Sequence, residues 1–219
     1  MVAVALRKGI VAVSTALIGI AAAQATPVTS PTALAGGTIV DFESYALGTT
    51  GPIVTSGMTI SATPGSAAVS SSLPYTQYPG IVTGRIFGFN ANVTFSIVFD
   101  APVATFGMGV FDPNYPGFDG STNTNRLRAY DSAGNVLEET LSGTSNFPVG
   151  PPGGSWSTYV GFTYATEVIK RIELVGAPGD LLGIDNIGYL SAEIPEPGSI
   201  ALLVAGLAGL VVVARRRSR

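Results

Sequence analysis

The sequence predicts an all-β protein, an antiparallel β-sandwich, with one apolar helix at each end of the chain. Three observations predict it. Short runs of alternating apolar and polar residues recur between Thr38 and Leu190, the period of half-buried strands. Gly, Pro and Asn clusters punctuate those runs, as in sandwiches and barrels built from many short strands. Apolar stretches of helical length occur only at residues 9–23 and 200–214.

The N-terminal stretch MVAVALRKGIVAVSTALIGIAAAQA places Arg7 and Lys8 before an apolar run, then closes on Ala23-Gln24-Ala25. A basic region, an apolar core and a small-x-small site make residues 1–25 a signal peptide for the export machinery and signal peptidase. TPVTSPTALAGG (26–37) shows no periodicity and reads as a flexible linker. The sandwich domain is expected over 38–190, with nine to eleven strands. NVTFSIVF sets Val93, Phe95, Ile97 and Phe99 on one face and Asn92, Thr94 and Ser96 on the other; VATFGMGVF repeats the pattern. LRAYD and NVLEETL flank Ser132-Ala133-Gly134 as a hairpin, with Asp131 bonding the turn backbone. Glu138 and Glu139 fall on opposite faces of one strand. No internal repeat is visible, which argues against a propeller or β-helix. Residues 191–199 form a second linker, 200–214 a transmembrane helix, and 215–219 a basic cytoplasmic tail. At about 22 Å the helix is short for a hydrocarbon core of about 30 Å, and spans it by snorkelling or local thinning.

Charge and composition narrow the chemistry. The whole chain carries −3, but residues 26–194 hold five basic side chains against thirteen acidic ones, a net −8. Nucleic acid is excluded as a partner, because its affinity comes from Lys and Arg on phosphates. With no Cys and no His, a thiolate nucleophile, a Ser-His-Asp triad and an ordinary zinc site are all excluded. Any metal is a hard cation held by oxygen, which outside the cytoplasm means calcium. Without histidine, nothing in the domain is expected to titrate near neutrality. A two-carboxylate glycosidase remains chemically open. No Asp or Glu pair stands out for it, so the protein is expected not to be an enzyme.

Pro195-Glu196-Pro197, a Gly-Ser step, a Leu/Ala/Gly/Val helix and the cluster Arg215, Arg216, Arg217 and Arg219 follow one another in IPEPGSIALLVAGLAGLVVVARRRSR. This order resembles the PEP-CTERM sorting signal. The resemblance covers about 25 residues and implies recognition by an exosortase. The protein would first be held in the membrane with its domain outward, then processed to the cell surface or exterior.

The middle domain begins with Asp41-Phe42-Glu43 and closes with Gly-Ile-Asp-Asn-Ile-Gly-Tyr, a pattern that resembles secreted jelly-roll modules, carbohydrate-binding ones among them. That resemblance implies that Asp41, Glu43 and Asp185 meet and hold a structural calcium. Two loops, DPNYPGFDGSTNTN and NFPVGPPGGSW, supply candidate ligand residues: Asp112, Tyr115, Phe118, Asp119 and Trp156, with Tyr75 and Tyr78 as further stacking candidates. Flat aromatic faces suit sugar rings, and Asn and Asp suit their hydroxyls; the alternatives are that Trp156 buries against the sandwich and that Asp112 and Asp119 are solvated turn residues. The expected function is a non-catalytic surface or matrix protein associating with extracellular polysaccharide. The alternatives are a structural coat protein and, behind it, the glycosidase.

Overall fold

The computed structural model describes residues 25–63, 67–71, 81–115, 124–148 and 154–191. The expected signal peptide, Pro-Glu-Pro motif, transmembrane helix and basic tail lie outside these residues. Among the described residues, no helix is long and apolar enough to cross a membrane.

Among the described residues thirteen strands, numbered along the chain, form two antiparallel sheets. The larger runs β1 (Thr26–Val28), β11 (Gly154–Thr163), β8 (Thr105–Tyr115), β13 (Leu181–Leu190), β6 (Arg85–Ala91) and β5 (Ala68–Ser71), with β2 (Thr38–Val40) also paired to β13. The smaller runs β10 (Val136–Leu141), β9 (Arg126–Tyr130), β12 (Ile169–Val175), β7 (Thr94–Val103), β4 (Met58–Thr63) and β3 (Ile53–Thr55). Period-2 alternation decides which side chains face inward. Phe95, Ile97 and Phe99 of β7, Leu127 and Ala129 of β9, and Ile172 and Leu174 of β12 line the smaller sheet's inner face. Phe106, Met108 and Val110 of β8, with Leu182 and Ile184 of β13, oppose them from the larger sheet. Each such large side chain contributes about 1.5–3 kcal/mol by leaving water.

The outer faces of the two sheets differ. That of the larger sheet is covered in two places. Val28 and Leu34, the latter at the end of a 3-10 turn over Pro31–Leu34 capped by Ser30, pack with Tyr159 against Ile81 and Leu190. Val82 and Ile86 pack with Phe111. The expectation of a flexible linker over 26–37 is therefore corrected. Its two buried apolar residues cap the sheet, and Thr26–Val28 pair with Gly161–Thr163 as an edge strand.

Small residues make room for this cover. A Cβ at Gly109 on β8 would overlap the Ile81 carbonyl oxygen, so the covering segment lies directly on the glycine backbone. Gly109→Ala should cost about 1–3 kcal/mol and lift residues 81–84 first. Limited proteolysis should then cut near Ile81 before the domain unfolds. Cleavage unchanged from wild type would contradict the assignment.

Candidate functional site

The smaller sheet's outer face has no covering segment among the described residues. Cross-strand register aligns Val136, Tyr130, Arg171, Val98, Thr59 and Val54 in one row over all six strands. The next row is Glu139, Arg128, Glu173, Ser96 and Ser61, and a third is Leu141, Arg126, Val175, Thr94 and Thr63. All are in opposite phase to the core residues of their strands.

At its centre, these side chains form a lattice. The Arg171 guanidinium lies over the Tyr130 ring, 3.9 Å from its centroid, a cation–π contact that also shields the ring. Tyr130 donates its hydroxyl to Glu173 Oε2 at 2.5 Å. Arg171 ion-pairs with Glu173, and Arg128 with Glu139. Burial under this lattice leaves Tyr130 8% exposed and pushes its pKa up, helped by the hydrogen bond to Glu173. Val54, at the end of the first row, is 72% exposed. The centre of the face is polar and held in place by its own hydrogen bonds and ion pairs, with exposed Val136, Val98 and Val54 beside it.

The loop candidates fare differently. Trp156 is 2% exposed and packs edge-on against Phe147, with ring centroids 6.1 Å apart, inside the main core. Its indole face is not available to a sugar ring, and the stacking role is corrected. It is in phase with Val160 and Phe162 on β11, so alternation turns it inward. Asp112, its register partner on β8, is likewise fully buried and does not face a ligand. Tyr115 ends β8, and its side chain, with Phe118, Asp119, Tyr75 and Tyr78, falls outside what the structure describes.

Asp112 instead belongs to a buried polar cluster at one end of the sandwich. Asp180 hydrogen-bonds with Asp112 and accepts from Asn125 Nδ2 at 3.0 Å. Asn125 Oδ1 in turn accepts the Ala177 N–H at 2.7 Å, and Ser142 Oγ accepts the Asn125 N–H at 2.9 Å. Burial raises the Asp180 pKa, while the bonds to Asn125, Asp112 and Leu181 N–H pull it back.

The three expected calcium ligands lie in one neighbourhood. Asp41 Oδ1 accepts the Glu43 N–H at 3.2 Å, and Glu43 Oε1 accepts the Arg85 N–H at 2.7 Å. Asp185 is fully buried under residues 81–84; its Oδ2 accepts the Thr83 N–H at 2.8 Å, and its Oδ1 has no hydrogen-bond partner. A bulge in β13 with Asn186 at φ 45° turns the strand here, and Asn186 Nδ2 donates to the Ile81 carbonyl at 3.1 Å. Burial first, then the Glu43 and Asp41 charges, push the Asp185 pKa up to about 7 against the pull of its backbone hydrogen bonds. Among the described residues, no group of three acidic side chains comes close enough together to hold a metal ion. The orphaned Asp185 oxygen suits a cation, but Asp41 and Glu43 spend an oxygen each on backbone N–H groups. The trio does not fit a calcium chelate. Asp185 also corrects the expectation that nothing here titrates near neutrality.

No curated protein sequence matches the chain. The chain has a distant similarity to several solved structures, three of which are the following. The K2 cleaved adhesin domain of Lys-gingipain is 10% identical, with 72% of this chain and 99% of that chain covered and a TM-score of 0.47. TmCBM61, solved with β-1,4-galactotriose, is 14% identical over 69% of this chain and 94% of that one, TM-score 0.35. The C-terminal family 22 carbohydrate-binding module of Clostridium thermocellum Xyn10B is 13% identical over 71% and 94%, TM-score 0.35. Residues 193–217, which contain Pro195, Glu196, Pro197 and Arg215 to Arg217, match the PEP-CTERM protein-sorting motif, and the chain therefore carries a PEP-CTERM sorting signal.

Proposed function

We propose that this protein is an exported, non-catalytic surface protein. Its PEP-CTERM tail passes it to an exosortase, with the 200–214 helix as the membrane hold before processing. It then associates with extracellular polysaccharide through the open face of the smaller sheet. The observation that supports this reading is the lattice of Arg128, Tyr130, Glu139, Arg171 and Glu173, which presents several donors and acceptors on a rigid sheet. Rigid polar groups lose little conformational freedom when a glycan docks. An enzyme reading requires a protonated carboxyl facing a carboxylate across a cleft. Both glutamates of this face are instead committed to arginines.

A coat-protein reading draws on a different observation: none of the large apolar side chains exposed among the described residues is aromatic. Sedimentation of the full chain, in detergent, with the producing organism's insoluble matrix polysaccharide separates the two. Binding is expected, and Arg171→Ala should weaken it about tenfold, on the order of 1.4 kcal/mol. No sedimentation of the wild-type chain would leave the coat reading in its place.

A further inference from the structure

We infer that the open face takes an acidic polysaccharide, one whose sugar units carry carboxylates; this rests on the polysaccharide reading above and names its ligand class. Residues 26–194 hold only five basic side chains. Four of them, Arg126, Arg128, Lys170 and Arg171, lie on β9 and β12, which pair with each other inside the smaller sheet. Arg126, Arg128 and Arg171 are in the outward phase of those strands. Arg85 lies on the larger sheet and donates to the Glu43 and Tyr45 carbonyls. An otherwise acidic domain thus places three of its five basic residues on a face that no described segment covers.

Three acids stand on that face, Glu139, Glu173 and, exposed in the outward phase of β7, Asp100. Glu139 takes Arg128 and Glu173 takes Arg171, and these are the two ion pairs among the described residues. Arg126 is exposed and belongs to neither. Lys170 donates to the Asp100 carbonyl at 2.9 Å and forms neither of these ion pairs. A guanidinium has five N–H donors, so one paired with a single glutamate oxygen still offers others.

A neutral glycan fits this surface less well. Neutral sugars are gripped by stacking on open aromatic faces, and the one aromatic ring in these rows, Tyr130, is already covered by the Arg171 guanidinium. Among the groups the face offers outward are guanidiniums, whose planar fork matches a carboxylate with two parallel hydrogen bonds. The acidic remainder of the domain repels a polyanion, which confines docking to this face.

The test uses the full chain in detergent, with a divalent-ion chelator present, and three immobilised polymers. These are polygalacturonate, the same polymer with its carboxyls methyl-esterified, and polyglutamate. The expected result is binding to polygalacturonate that weakens about tenfold on esterification, with polyglutamate bound less tightly than polygalacturonate. Binding should also fall steeply with added salt. Arg126→Glu, an exposed change that spares the lattice, should reduce it about tenfold, and Arg128→Gln should reduce it as well. Equal binding to the esterified polymer overturns the acidic-ligand inference while the polysaccharide reading stands. Polyglutamate bound as tightly as polygalacturonate overturns it too, by showing a plain polyanion surface. Failure to bind any of the three sinks the inference; the sedimentation experiment then decides the broader reading separately.

Discussion

Trp156→Ala is expected to destabilise the protein by about 3–5 kcal/mol, the range for emptying a large aromatic site in a packed core. Polysaccharide binding by the fraction that remains folded should not change. Trp156 is buried in the main cluster, against Phe147 and on the same inward phase as Val160 and Phe162. Its removal leaves a cavity between the sheets at the end where β8 and β11 pair. Urea unfolding would read the loss as a lower midpoint with an unchanged slope. A small change in stability accompanied by lost binding would restore the ligand-stacking role and contradict the packing described above.

Changing pH should move stability in a direction that an acidic protein without histidine would not suggest. Asp185 ionises in the unfolded chain near the ordinary carboxylate value of 3.8 and in the native state near 7, mainly because it is buried. Below pH 4 both states hold the proton, and the group contributes nothing. Between about pH 4 and 7 the native state keeps a proton that the unfolded chain has lost, so stability falls as pH rises. Above 7 the native state carries a desolvated carboxylate facing Asp41, Glu43 and Tyr159, and the penalty levels off at no more than about 4 kcal/mol. Asp180 acts in the same direction. Asp131, whose pKa its turn hydrogen bonds hold down, acts in the opposite one. Asp185→Asn isolates the effect: the stability of the variant relative to wild type should climb across pH 4 to 8. A difference that stays flat would show that Asp185 remains ionised in the folded protein.

Local pattern carried the fold where strands are self-sufficient. The inward phase of Phe95, Ile97 and Phe99 was legible because alternation needs no partner to be read. So was the hairpin turn, where Asp131 Oδ1 accepts the N–H groups of Ala133 and Asn135 at 2.9 and 2.8 Å and Gly134 takes φ 85°. The stacking role of Trp156 was suggested by the Pro/Gly-rich run before it, which reads as a loop, although its two-residue spacing to Thr158 and Val160 is a strand signal that favours the buried alternative. The buried state of Asp185 was hidden for another reason: it depends on residues 81–84, about a hundred positions earlier, folding back over β13. The arginine lattice was equally illegible. Arg128 and Arg171 stand 43 positions apart, and only the pairing of β9 with β12 makes them neighbours. Composition reported a net acidic domain and averaged that local excess away.

The place of β13 in its sheet bears on the order of events during export. The final strand lies in the sheet interior, between β8 and β6, and β2 also pairs with it. A chain that emerges N-terminus first holds two separated halves of the larger sheet until Leu190 arrives. Only then can the long-range contacts close, a late and slow event for a topology of this kind. The sorting motif starts at residue 193, immediately behind that strand. Completion of the domain and presentation of the tail thus fall at the same moment of translocation, and a handling enzyme that waits for the motif meets a domain that has just become able to fold.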